Sequence, residues 1–165
     1  MKFTAGAAKL FSLLIVAVCL VTQVNTAAAD VSTSSQKPVL GDLDLRTPDG
    51  EQVSLVPYIG RKAVVVVFWA TWCPICKKEV PHLNRLNSNP LVKVIGVNEG
   101  ESLGKIRDFL ASNSVGYEIA VDPKAALAKS FGVPGMPFCV IIGKTGVISY
   151  RGSGLPDNLD YYINQ

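Results

Sequence analysis

Phe68-Trp69-Ala70-Thr71-Trp72-Cys73-Pro74-Ile75-Cys76-Lys77-Lys78-Glu79 decides the reading of this chain. A wholly apolar run ends in a cysteine pair, and Pro74 then opens a helical pattern at the position where its missing N–H costs nothing. Cysteines at i and i+3 approach each other within one helical turn, so they can close and reopen a small disulfide ring. A helix N-terminus offers partial positive charge and unpaired N–H groups, which stabilise a thiolate. Strand, then C-x-x-C, then helix is the geometry of a redox site.

Outward from that stretch, strand and helix patterns alternate. Residues 63–69 are continuously apolar and rich in Val, as in a central strand buried on both faces. The following helix is predicted over residues 74–87, with Pro81 kinking it. A second apolar strand covers 92–97, and an amphipathic helix covers 102–111 with Ile106, Phe109 and Leu110 inward. A short strand is expected at 117–121, then a helix over 123–131 that ends at Gly132. Strands at 138–142 and 147–150 flank Gly143-Lys144-Thr145-Gly146 as a hairpin, and a short helix over 156–163 closes the chain. Upstream, 43–45 and 52–55 flank Thr47-Pro48-Asp49-Gly50, a second hairpin whose turn is set by Pro and Gly. The pattern predicts an α/β domain: a mixed sheet with helices on both faces.

The first residues read differently. Lys2 and Lys9 precede the apolar run 10–21, and Ala27-Ala28-Ala29 follows a polar stretch; together these describe a signal peptide over residues 1–29. An uncleaved membrane anchor is the alternative. Cys19 lies mid-run behind Val18, which argues against a lipoprotein cleavage site. Residues 30–38 read as a Ser/Thr-rich linker, and the domain is placed at 39–165. Cleavage after Ala29 leaves 136 residues and lowers the net charge from +3 to +1, because two lysines and no acid are lost. A near-neutral chain has no electrostatic footprint for nucleic acid. Three cysteines remain, too few for a disulfide framework and odd in number. An exported location is one where disulfides persist.

Cys73, at the strand–helix junction, is expected to be the more exposed sulfur and the nucleophile. Cys76, one turn inside, is expected to resolve the mixed disulfide. A zinc site lacks ligands: there is one C-x-x-C, and His82 is the only histidine. A static bridge closing so small a loop constrains the unfolded chain little. Glu79 lies three residues beyond Cys76 and is a candidate proton acceptor, raised toward that task by desolvation; a solvated residue paired with a lysine is the equal alternative. Trp69 reads as core and Trp72 as a contact surface for substrate peptide. Cys139, inside an apolar run, reads as a buried inert thiol. Arg61, Lys62, Lys77 and Lys78 read as solvated charges. Pro137 suits a turn or a cis peptide at a strand start.

The stretch 68–81, with the Asp49-Gly50 hairpin and Gly132-Val133-Pro134-Gly135-Met136-Pro137, resembles the thioredoxin superfamily, in its exported TlpA/ResA-like branch. The similarity spans roughly residues 40–163. It implies a thioredoxin fold with an extra N-terminal β-hairpin, a cis Pro137 beside the cysteine pair that orients substrate backbone, and an acidic residue near the site at Glu79. It also implies thiol–disulfide exchange outside the bacterial cytoplasm, as in the bacterial periplasm. The expected catalytic residues are then Cys73, Cys76 and Glu79, and the expected substrate-binding residues are Trp72, Met136 and Pro137. No cofactor or metal is expected. The expected partners are protein disulfides, such as those of apocytochrome c, and a membrane thiol-electron donor; a monomer is expected.

Three positions depart from that branch. Val67 stands where thioredoxin carries a buried Asp and cannot move a proton, leaving Glu79 as the remaining candidate. Pro74-Ile75 puts proline first, as in more oxidising members, and leaves the Ile75 N–H able to point at the Cys73 sulfur. Met136 precedes Pro137 where some reducing members have Thr. The resemblance implies a reductase; the departures at Pro74-Ile75 and Met136 keep an oxidising or isomerising exchanger as one alternative, and a thiolate metal chaperone is the other.

Overall fold

The computed structural model describes residues 45–165; the expected signal peptide, the linker and residues 43–44 of the first hairpin lie outside them. Five strands form one sheet: β1 (Ala63–Trp69), β2 (Val92–Glu99), β3 (Glu118–Asp122), β4 (Phe138–Ile142) and β5 (Ile148–Gly152). Four helices connect or follow them: α1 (Pro74–Asn87), α2 (Leu103–Ser112), α3 (Ala126–Ser130) and α4 (Leu159–Ile163). The sheet order is β3-β2-β1-β4-β5. β1, β2 and β3 run parallel, and β4 and β5 join antiparallel. This is the mixed sheet expected of a thioredoxin fold.

The Val-rich β1 is central and every residue in it is buried. Alternation along a strand sends its side chains to two faces. Val64, Val66 and Phe68 face Val53, Leu55, Ala128 and Phe131 on one side. Val65 and Val67 face Leu83 and Leu86 of α1 and Ile163 of α4 on the other. Trp69 continues that second side toward Cys76, Ile106 and Phe109. Helices thus cover both faces, and β1 delivers its C-terminal end to the start of α1.

Helix α1 keeps its expected bounds and continues through Pro81. α3 begins three residues later than expected, because the buried Asp122 carboxylate accepts the amides of Ala126 (2.8 Å) and Ala128 (3.0 Å) and sets the first turn there. α4 likewise begins at Leu159, which leaves Pro156 and Asp157 in a loop beside the site. β5 extends to Gly152, beyond the expected Tyr150. Upstream, the Thr47–Gly50 turn is closed by Gly50 N–H to Thr47 O, with one antiparallel bridge between Arg46 and Gln52. Among the described residues, no helix is long and apolar enough to cross a membrane.

Candidate active site

Where β1 ends, the Cys73 amide donates to Ala70 O (3.1 Å), and the chain turns into α1 with Cys73 as its N-cap. Cys73 and Cys76 are joined as a disulfide. The Cys76 N–H donates to the Cys73 sulfur at 3.1 Å. The expected donor was Ile75; the amide that reaches the sulfur is instead the third of the helix, the usual partner of an N-cap acceptor. The expectation that Cys73 is the more exposed cysteine is also corrected: it is 3% exposed and Cys76 5%. Both pack with Trp69, Val80 and Phe109, with Met136 against the same cluster. What distinguishes Cys73 is therefore its place on the helix N-terminus, where the positive end of the dipole and an amide N–H meet its sulfur.

The surround mixes exposed apolar side chains with charged ones. Trp72 is 66% exposed and Ile75 58%, one on either side of Cys73 in sequence. Met136-Pro137 is a cis peptide, as the family resemblance implied. Met136 and Pro137 line a groove of about 830 Å³ together with Ile75, Glu79, His82 and Leu155. Met136, Pro137, Ile75 and Glu79 are thus brought to one groove beside the disulfide. Trp72 lies outside it, on a second, shallower depression with Thr71, Lys77 and Phe109.

Of its two readings, Glu79 lies nearer the solvated one. Its side chain is 38% exposed, and its Oε2 lies 3.5 Å from Nδ1 of His82, one turn on. The partner is a histidine and not a lysine. Cys139 is fully buried, and burial pushes its thiol up to about 12. It pairs with Val67 in the β1–β4 register.

The sequence reading missed Glu101. Its Oε2 accepts the Thr71 amide (2.7 Å) and the Asn98 side-chain amide (2.9 Å), and its Oε1 accepts the Thr71 hydroxyl (2.7 Å). Partial burial opposes its charge, but these Thr71 and Asn98 bonds and nearby Lys105 outweigh it and hold the carboxyl below its ordinary value. The available signal was Asn98, a polar residue ending an apolar strand and opposite Trp69 in the β1–β2 register.

A mixed five-stranded sheet with a C-x-x-C disulfide at the start of the helix after its central strand, and with Met136 of a cis Met136-Pro137 bond packed against the same cluster, defines a thioredoxin-fold protein with a redox-type cysteine pair. The chain belongs to the AhpC/TSA family, whose model matches residues 37–151. It is similar to the thiol-disulfide oxidoreductase ResA of Bacillus thuringiensis subsp. konkukian, at 26% identity over 122 residues, 71% of this chain and 70% of that protein. Sporulation thiol-disulfide oxidoreductase A of Bacillus subtilis is 31% identical over 110 residues, 63% of this chain and 66% of that one. Among solved structures, MTB dsbF in its mixed oxidised and reduced forms superposes with a TM-score of 0.62 at 26% identity, covering 72% of this chain and 90% of that one.

Proposed function

We infer that this protein is an extracytoplasmic thiol–disulfide oxidoreductase that reduces disulfides of protein substrates. The observation that carries the reading is the Cys73–Cys76 disulfide at the α1 N-terminus, its leading sulfur accepting a helix amide, with a groove lined by Ile75 and the cis-proline. The relatives named as thiol-disulfide oxidoreductases support the activity.

The exchange runs in two steps. In the reduced protein the Cys73 thiolate attacks one sulfur of a substrate disulfide; a new S–S bond forms, the substrate S–S bond breaks, and one substrate thiolate leaves. The Cys76 thiolate then attacks the Cys73 sulfur, closing the intramolecular disulfide and releasing the second substrate thiol. Two electrons pass to the substrate, and an external dithiol returns them. Glu79 accepts the Cys76 proton, directly or through water, with His82 beside it. Trp72 and Met136 supply apolar contact, and Pro137 aligns substrate backbone. No further cofactor takes part, since the disulfide itself carries the electrons. Apocytochrome c, whose cysteines must be reduced before haem attaches, is the substrate class, and a membrane thiol-electron donor is the reductant; both rest on the family resemblance.

The test is a trapping experiment with Cys76→Ser. Reduced variant mixed with a disulfide-bonded C-x-x-C-H peptide should accumulate a mixed disulfide through Cys73 that the wild type resolves. Accumulation through no cysteine, or only with Cys73→Ser, refutes the assignment.

A further inference from the structure

We propose that Glu101 sets the redox poise of the Cys73–Cys76 couple, acting as a fixed negative charge that disfavours the Cys73 thiolate, and so the reduced state, while its hydrogen bonds hold the turn that presents Cys73. The proposal rests on the thiol-exchange reading of the site. It goes beyond that reading by assigning electrostatic control to a residue outside the C-x-x-C helix.

The geometry is specific. Glu101 lies in the connection between β2 and α2, yet its carboxylate takes both the amide and the hydroxyl of Thr71, two residues before Cys73. Asn98, fully buried at the end of β2, fixes the same oxygen that takes the Thr71 amide. Three donors converge on one carboxylate, so it cannot swing away from the turn. Two residues of chain span at most about 7 Å, which holds the carboxylate within roughly 10 Å of the Cys73 backbone. A unit charge at that range through a dielectric intermediate between protein surface and water changes a neighbouring thiolate population roughly threefold.

The sign follows directly. A negative charge raises the free energy of the Cys73 thiolate. The reduced protein holds that thiolate and the disulfide does not, so the couple becomes more reducing. The other charges lining the two depressions are Glu79, His82 and Asp157 in one and Lys77, Lys105 and Asp108 in the other. Lys77 is drawn over the Phe109 ring at 6.0 Å, and Lys105 partly offsets Glu101. Among the charges of this set, Glu101 is the one bonded to the turn that carries Cys73.

Glu101→Gln separates charge from structure. Its carbonyl oxygen can take the Thr71 and Asn98 amides, and its amide can donate to the Thr71 hydroxyl, so all three bonds persist without the charge. The experiment measures two quantities on full-length wild type and E101Q: the Cys73 titration, by thiolate absorbance or iodoacetamide rate against pH, and the couple's potential against glutathione buffers at several pH values. Neither needs a protein substrate, so their outcome is independent of whether the substrate reading holds. In E101Q the thiolate fraction below the Cys73 midpoint should rise about threefold. The potential should rise by about 14 mV, the equivalent of threefold for a two-electron couple. That gap should open only above the Cys73 midpoint and shrink in high salt. An unchanged Cys73 midpoint, or a potential shift of equal size at every pH, overturns the proposal. Glu101→Ala removes the bonds as well as the charge and should add a fall in thermal midpoint that E101Q does not show; a like fall in E101Q marks a structural role and also overturns it.

Discussion

Cys139 offers a prediction whose size follows from the structure. The thiol is fully buried between Val67 and Gly152 in the β-ladder, and burial pushes it from 9.0 up to about 12. The thiolate is the reacting species. At pH 8 an ordinary thiol with a midpoint of 9.0 is about one-tenth thiolate, whereas Cys139 is about one part in ten thousand. Alkylation of Cys139 in the folded, reduced protein should therefore run about a thousandfold slower than that of a free cysteine, and approach it only in denaturant. The assay is iodoacetamide labelling at pH 8 followed by peptide mass spectrometry. The same burial predicts alkaline instability. Between pH 9 and 12 the unfolded chain has released this proton and the folded chain has not. The unfolded state then binds fewer protons, so stability is fully present below pH 9 and falls as pH rises. A rise from 9.0 to about 12 corresponds to at most about 4 kcal/mol at the top of that window. Tyr117, pushed from 10.0 up to about 12 by burial, adds to the loss above pH 10. Labelling of Cys139 in the folded protein within tenfold of the free-cysteine rate would show that burial does not hold the thiol protonated, as would a flat urea midpoint from pH 9 to 11.

Asp122→Ala removes two hydrogen bonds from a buried carboxylate to the amides of α3; the loss should be about 2–3 kcal/mol, read as a lower urea midpoint at unchanged slope. Trp72→Ala alters an exposed ring, so the thermal midpoint should hold while KM for a protein disulfide rises severalfold; an unchanged KM removes Trp72 from the contact surface. Glu79→Gln should shift the pH dependence of Cys76 reactivity, and a superimposable profile removes Glu79 from proton transfer.

Local signals made most of the scaffold legible. The Val-rich run at β1, the Cys73-Pro74 junction and the length of α1 are properties of contiguous residues, and the structure holds them where periodicity put them. Boundaries moved where a distant or polar partner decided them. Asp122 delays α3 by capping its first turn, a bond that no apolar pattern encodes. The site followed the same division. Cys73, Cys76 and Pro137 stand in motifs that name themselves. The near-equal burial of the two cysteines depends on Trp69, Val80, Phe109 and Met136, which come from four separate segments. Glu101 draws its meaning from a contact with Thr71 thirty residues away, and Asn98 was its one local sign. Pairing of Glu79 with His82 was within reach at i and i+3, but the sequence reading weighed only a lysine as its partner.

Whether this cysteine pair donates electrons to protein disulfides is decided by the equilibrium potential of the Cys73–Cys76 couple at pH 7. Reduced and oxidised protein are equilibrated with defined dithiothreitol or glutathione buffers and quantified by acid-quenched alkylation. A reductase predicts a value near the thioredoxin end, about −270 mV; a value near the strong-oxidant end, about −120 mV, contradicts the account.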